Sequence, residues 1–115
     1  MPSLDLRPEW VESTRCLLAS HVPQAEVWAY GSRVSGRAHE GSDLDLVVRY
    51  PEDFSRVSRN LAALQAAFSE SDLPILVEVH DWARLPESFQ REIERMHVVL
   101  WEGLAGPSSH RPREL

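Results

Sequence analysis

Two aspartates one residue apart, Asp43 and Asp45, stand at the entrance to the most apolar run of the chain, Leu44 to Val48. In an extended strand, side chains two apart leave the same face, about 7 Å apart at the backbone. Carboxylates so placed repel each other unless a cation lies between them. Mg²⁺ takes oxygen ligands at about 2.1 Å and is commonly held by one or two carboxylates plus substrate phosphates. The pair can therefore converge on one ion or hold two ions about 4 Å apart. Exposed acids on a half-buried strand are the plainer alternative, but Asp is depleted in strands, and two at this position call for a compensating gain.

Upstream, Gly31-Ser32 follows a short apolar run directly. Glycine permits close backbone approach, and serine offers a hydroxyl and an N–H to an anion. A helical turn starting there would aim further N–H groups at the same place. Arg33 and Arg37 add positive charge nearby. Alone, Gly-Ser reads as a turn. Together, a phosphate cradle after one strand and a metal pair on the next are the two parts that phosphoryl-group chemistry requires.

The segments Gly31-Ser32-Arg33-Val34-Ser35-Gly36 and Ser42-Asp43-Leu44-Asp45-Leu46 resemble the signature of the DNA polymerase β-like nucleotidyltransferases. Within that superfamily the chain looks like the minimal, MntA-like group. Val77-Glu78-Val79-His80-Asp81-Trp82, followed by Phe89 and Ile93, looks like that group's third strand and last helix. The likeness spans roughly residues 10 to 102. It implies a small mixed sheet with helices packed mainly on one face. It also implies transfer of a nucleoside monophosphate from an NTP, ATP foremost, to an acceptor hydroxyl with Mg²⁺ in a two-ion site. Gly31, Ser32, Arg33 and Ser42 would bind the nucleotide, and Asp43 and Asp45 would hold the metal.

The family's third acid, usually Asp, matches Glu78 here. Glu is one methylene longer, and Mg²⁺ geometry is strict. Asp81 is the rival, but in a regular strand it faces away from Glu78 and His80, and it reads as a strand-end or cap acid. Resemblance to the MntA-like group implies an antitoxin that attaches AMP to a HEPN-domain toxin, a tyrosine being one candidate acceptor. The alternative is a catalytically weak antitoxin that acts by binding its partner. A third reading, transfer to an aminoglycoside, fits less well, because those relatives usually carry a further domain that holds the drug.

These residues need elements to position them. Residues 5 to 21 predict a helix with Pro8 in its first turn, and Pro23 stops it. Val27 to Tyr30 and Leu44 to Val48 predict strands, with a Gly- and Ser-rich loop between them that opens on a helical turn. Asp43, Asp45 and Val47 should share one strand face, and Leu44, Leu46 and Val48 the other. Phe54 to Phe68 shows helical spacing, Ile75 to Val79 reads as a third strand, Pro86 to Met96 as a last helix, and Val98 to Trp101 as a short final strand. The pattern is an α/β or α+β layer. Cys16 is expected at least half buried, and the four tryptophans are expected in the core or at interfaces rather than as base-stacking platforms.

The bulk numbers bound the rest. A chain of 115 residues with 43% hydrophobic and 26% charged residues fits one domain. Residues 1–104 are expected to form the nucleotidyltransferase domain, and 105–115 a frayed tail. The net charge of −6 argues against wrapping a long nucleic acid and favours mononucleotides. One cysteine excludes a disulfide framework, and the histidines lack zinc-ligand spacing. No run approaches the roughly 20 apolar residues of a membrane span, so the expectation is a cytoplasmic protein without membrane contact. An incomplete acceptor site would favour homo- or hetero-oligomeric assembly.

Overall fold

The computed structural model describes residues 2–103; the tail expected from 105 lies outside them. Pro8 opens α1 (Pro8–His21), where its missing N–H is not needed. Thr14 and Leu18 are buried on the inner side of α1, and Val11 and Leu17 pack beside them. Cys16, two residues from each buried position, points outward and is exposed, contrary to expectation. Pro23 turns the chain into β1 (Glu26–Tyr30). One turn, α2 (Ser32–Ser35), follows immediately. Then come β2 (Leu44–Arg49), α3 (Leu61–Ser69), β3 (Val77–Asp81), a 3₁₀ turn (Trp82–Arg84), α4 (Glu87–Arg95) and β4 (Val98–Trp101).

The four strands form one mixed sheet in the order β3-β2-β1-β4. β1 runs antiparallel to both β2 and β4, whereas β2 and β3 are parallel. The parallel pair needs a crossover, and α3 supplies it. One sheet face carries Val27, Ala29, Leu44, Leu46, Val48, Val77 and Val79, and α1 and α3 cover it with Leu18, Val22, Leu64 and Phe68. The other face has a smaller cluster in which Trp28, Tyr30 and Val47 meet Trp82 and Ile93. Helices thus sit mainly on one face, as the sequence implied. Trp28 and Trp82 are core residues.

Two elements differ from expectation. α3 starts at Leu61, not Phe54. The Asp53 carboxylate accepts bonds from the Ser55 N–H at 3.1 Å and the Ser55 hydroxyl at 2.6 Å. Asp81 accepts from the Ser58 N–H at 3.0 Å. These side-chain bonds replace the helical ones, and Phe54 turns aside to cover the Arg49 guanidinium at 4.3 Å. β3 is shifted two residues toward the C-terminus. Gln65 of α3 pins it there, donating to the Val77 carbonyl at 2.6 Å and accepting from the Val79 N–H at 3.0 Å. Among the described residues no helix is long and apolar enough to cross a membrane.

Candidate active site

Asp45 lies mid-sheet, flanked in register by Tyr30 of β1 and Glu78 of β3. Parallel pairing puts Glu78 directly beside Asp45, on the face that alternation predicts. Asp81 pairs with Val48 on the helix-covered face instead, where it is 2% exposed. There its carboxylate receives the Ser58 N–H and lies 3.4 Å from the Arg84 Nε. Asp81 is therefore a buried structural acid. Asp43, one residue before β2, is exposed, Asp45 is half-buried, and Glu78 is exposed with Oε1 3.9 Å from the His80 Nε2.

Gly31 sits where β1 passes into α2, at φ +86°. A Cβ there would meet the Asp45 Oδ2 at 2.5 Å. Two independent reasons therefore demand glycine: the left-handed backbone and the carboxylate packed against it. The Gly31 carbonyl accepts from the N–H groups of Val34 and Ser35, both at 3.0 Å, which sets the turn of α2. The N–H groups that open a helix have no intrahelical partner, so Ser32 and Arg33 leave theirs at its mouth.

The loop from α2 to β2 closes on Ser42. Its hydroxyl accepts the His39 N–H at 2.9 Å, and its own N–H donates to the His39 carbonyl at 3.0 Å. Ser32, Arg37, His39, Gly41, Ser42, Asp43 and Asp45 line a concavity of about 390 Å³. Of the residues expected to bind nucleotide, Ser32 and Ser42 line it, and Gly31 borders it through Asp45. Arg33 does not line it. It is 4% exposed and donates from Nε to the Ser42 carbonyl at 3.0 Å, from Nη1 to Asp5 at 2.9 Å and from Nη2 to Glu40 at 3.1 Å. Each guanidinium nitrogen has a carbonyl partner and the side chain braces the loop from behind, so at the concavity Arg33 offers its backbone N–H rather than its charge. Arg37, exposed, is the arginine on the lining.

Burial, then Glu78 and then Asp43 push the Asp45 carboxyl above the usual carboxylate range, and His80 offsets part of this. Tyr30 was not singled out by motif, yet burial and the charges of Asp45 and Glu78 push its phenol up to about 12. Its position directly before Gly31 was the available signal. The site thus holds three carboxylates with excess negative charge and hard oxygen donors. That donor chemistry fits Mg²⁺. Among the described residues no three His, Cys, Asp or Glu side chains already converge into a cage.

Comparison with known proteins agrees with the geometry. Residues 12–101 match the Nucleotidyltransferase domain family. The chain is 41% identical over 99 residues to a Haemophilus influenzae protein named "Probable protein adenylyltransferase MntA", covering 86% of this chain and 85% of that one. A solved structure described as "Crystal structure of the toxin-antitoxin with AMP-PNP" shares the fold. It aligns at a TM-score of 0.65 and 20% identity over 83% of this chain and 74% of that one. The chain belongs to the nucleotidyltransferase family, and within it to the small MntA-like group.

Proposed function

We propose that this protein is the antitoxin of a toxin–antitoxin pair and that it transfers AMP from ATP to a hydroxyl of its partner, a HEPN-domain toxin. The carrying observation is that Asp45 stands in register between Tyr30 and Glu78 with its carboxylate packed against Gly31. The protein adenylyltransferase name of the Haemophilus relative and the toxin–antitoxin setting of the structural neighbour support the acceptor class. Asp43, Asp45 and Glu78 would hold Mg²⁺. When bound, Mg²⁺ neutralises triphosphate charge and makes the α-phosphorus more electrophilic.

The chain's own groups do the rest. The Ser32 hydroxyl and the N–H groups opening α2 bind the β- and γ-phosphates, and Arg37 adds charge from the rim. Arg33 and Ser42 keep that rim in shape. Glu78, exposed on the β3 side, takes the proton from the acceptor hydroxyl as its oxygen bonds to the α-phosphorus. The bond from the α-phosphorus to the bridging oxygen breaks, and pyrophosphate leaves on the Ser32 side.

The test is incubation of the protein with labelled ATP, Mg²⁺ and the product of the neighbouring gene. Label on the partner, lost in Asp45→Asn, is the expected result; no label on the partner with the wild-type protein refutes the proposal. One observation favours a second reading, antitoxin action by binding alone: the third acid is the longer Glu78, exposed and beside His80 rather than fixed. Neutralisation that survives Asp43→Asn and Asp45→Asn unchanged would select it.

A further inference from the structure

A second cavity, of about 220 Å³, is lined by Gly31, which neighbours Ser32 of the phosphate concavity in the chain. Tyr30 and Gly31 form one side, Phe89, Ile93 and Met96 of the α4 segment form the other, and Glu92 stands at the lip. Phe89 meets Tyr30 edge to face, with centroids 5.7 Å apart at 85°. Phe89 and Met96 remain 37% and 45% exposed although the rest of α4 is strongly polar. Large apolar side chains left open beside a carboxylate, in a slot next to a reaction site, suit a flat heterocycle. Its faces would take the aromatic and thioether walls, and an amino group would donate to Glu92.

In-line transfer decides between the two flat groups that approach this site. Across the sheet the order is Glu78, Asp45, Tyr30. If pyrophosphate departs toward Ser32, the attacking hydroxyl must come from the opposite side of the α-phosphorus, over Glu78 on β3. The cavity lies on the β1 and α4 side, away from that approach. The acceptor is thereby directed elsewhere, and the nucleoside of the donor remains.

We propose that this cavity holds the nucleobase of the donor NTP. Phe89 stacks against the base, and Glu92 selects bases with an exocyclic amino group over uracil, which would turn a carbonyl oxygen toward the carboxylate. The proposal rests on the nucleotidyltransferase reading and extends it from phosphates to the base.

Competition binding against a fluorescent ATP analogue, with Mg²⁺ present, tests it using ATP, UTP and inorganic tripolyphosphate on the full chain. ATP should bind roughly tenfold more tightly than UTP or tripolyphosphate, the scale of one base–aromatic stack. Phe89→Ala should remove most of that advantage, and Glu92→Gln should narrow the ATP-to-UTP ratio. Neither should move tripolyphosphate affinity, which also shows that the variants are folded. Equal wild-type affinity for ATP and tripolyphosphate overturns the base site and leaves the triphosphate site standing. No binding of either overturns both. A Phe89→Ala variant that keeps its ATP affinity but has a raised KM for the protein acceptor places the acceptor in the cavity and overturns the proposal.

Discussion

Asp45 and Arg49 lie on the same strand and the same face, four residues apart, yet their charges are treated in opposite ways. Arg49 is 8% exposed and bonds Glu26 through Nη1 at 2.8 Å. Its guanidinium is enclosed by Trp28 at 4.0 Å, Phe54 at 4.3 Å and Trp82 at 4.7 Å. Burial lowers its pKa, and Glu26 opposes the shift. This charge has a counterion through Nη1 and aromatic walls, although its Nε is buried without a hydrogen-bond partner. Asp45 has the reverse surroundings. Burial, Glu78 beside it in register and Asp43 all disfavour its charge, and His80 offsets only part of this. One end of β2 carries a charge with a counterion; the other carries a carboxylate crowded by further acids. A compensated charge marks architecture, and an uncompensated one marks chemistry.

The largest effect that would break this contrast is on turnover. Asp45→Asn should lower AMP transfer on the order of 10³-fold, about 4 kcal/mol of barrier, measured as single-turnover labelling. The same change should raise the melting midpoint of the metal-free protein, because it removes a charge the fold disfavours. Loss of stability instead would mean that Asp45 is architectural, as Arg49 is.

Glu78→Ala should lower kcat roughly 10²-fold with ATP affinity little changed, as removal of a general base does. An equal loss in ATP affinity would assign Glu78 to substrate binding. Arg49→Ala should destabilise the fold by about 3 kcal/mol in denaturant titration, since it leaves Glu26 and three aromatic faces without their cation. Tripolyphosphate binding by the remaining folded protein should be unaffected.

The smallest effect is on pH. The Asp45 carboxyl titrates above its unfolded value, so over the window between the two the native state holds more protons than the unfolded one. Metal-free stability should therefore fall as pH rises through that window, and Mg²⁺ should restore more stability above the window than below it. Melting curves with and without Mg²⁺ read this directly; a pH-independent Mg²⁺ increment would separate metal binding from Asp45 ionisation. At the Arg49 end no such Mg²⁺ linkage should appear, so Asp45→Asn should abolish the linkage while Arg49→Met keeps it.

Much of the site was legible because strand alternation and glycine chemistry are local. The i, i+2 spacing put Asp43 and Asp45 on one side, and the same rule preferred Glu78 to Asp81. The Gly31 position also followed, although its second reason, the Asp45 carboxylate packed against it, did not. The direction of the Arg33 side chain was not legible, because a loop arginine near a phosphate motif looks the same whether it faces the phosphates or braces the loop. Only the carbonyls of Asp5, Glu40 and Ser42, brought together by folding, decide between them. The segment from Phe54 to Asn60 kept helical spacing, but Asp53 and the distant Asp81 supplied better partners for its N–H groups than a further helical turn.

The sequence by itself determined the order of strands and helices, the glycine turn, the acidic pair and the family. Each of these depends on periodicities and backbone preferences that act within a few residues. Tertiary structure alone decided that Glu78 lies beside Asp45 in parallel register, that Arg49 is enclosed by rings from three separate segments, and that α4 opens an apolar cavity next to Gly31. Those outcomes depend on contacts between residues far apart in the chain, where register and burial, not local spacing, set which charges meet a partner and which are left to a ligand.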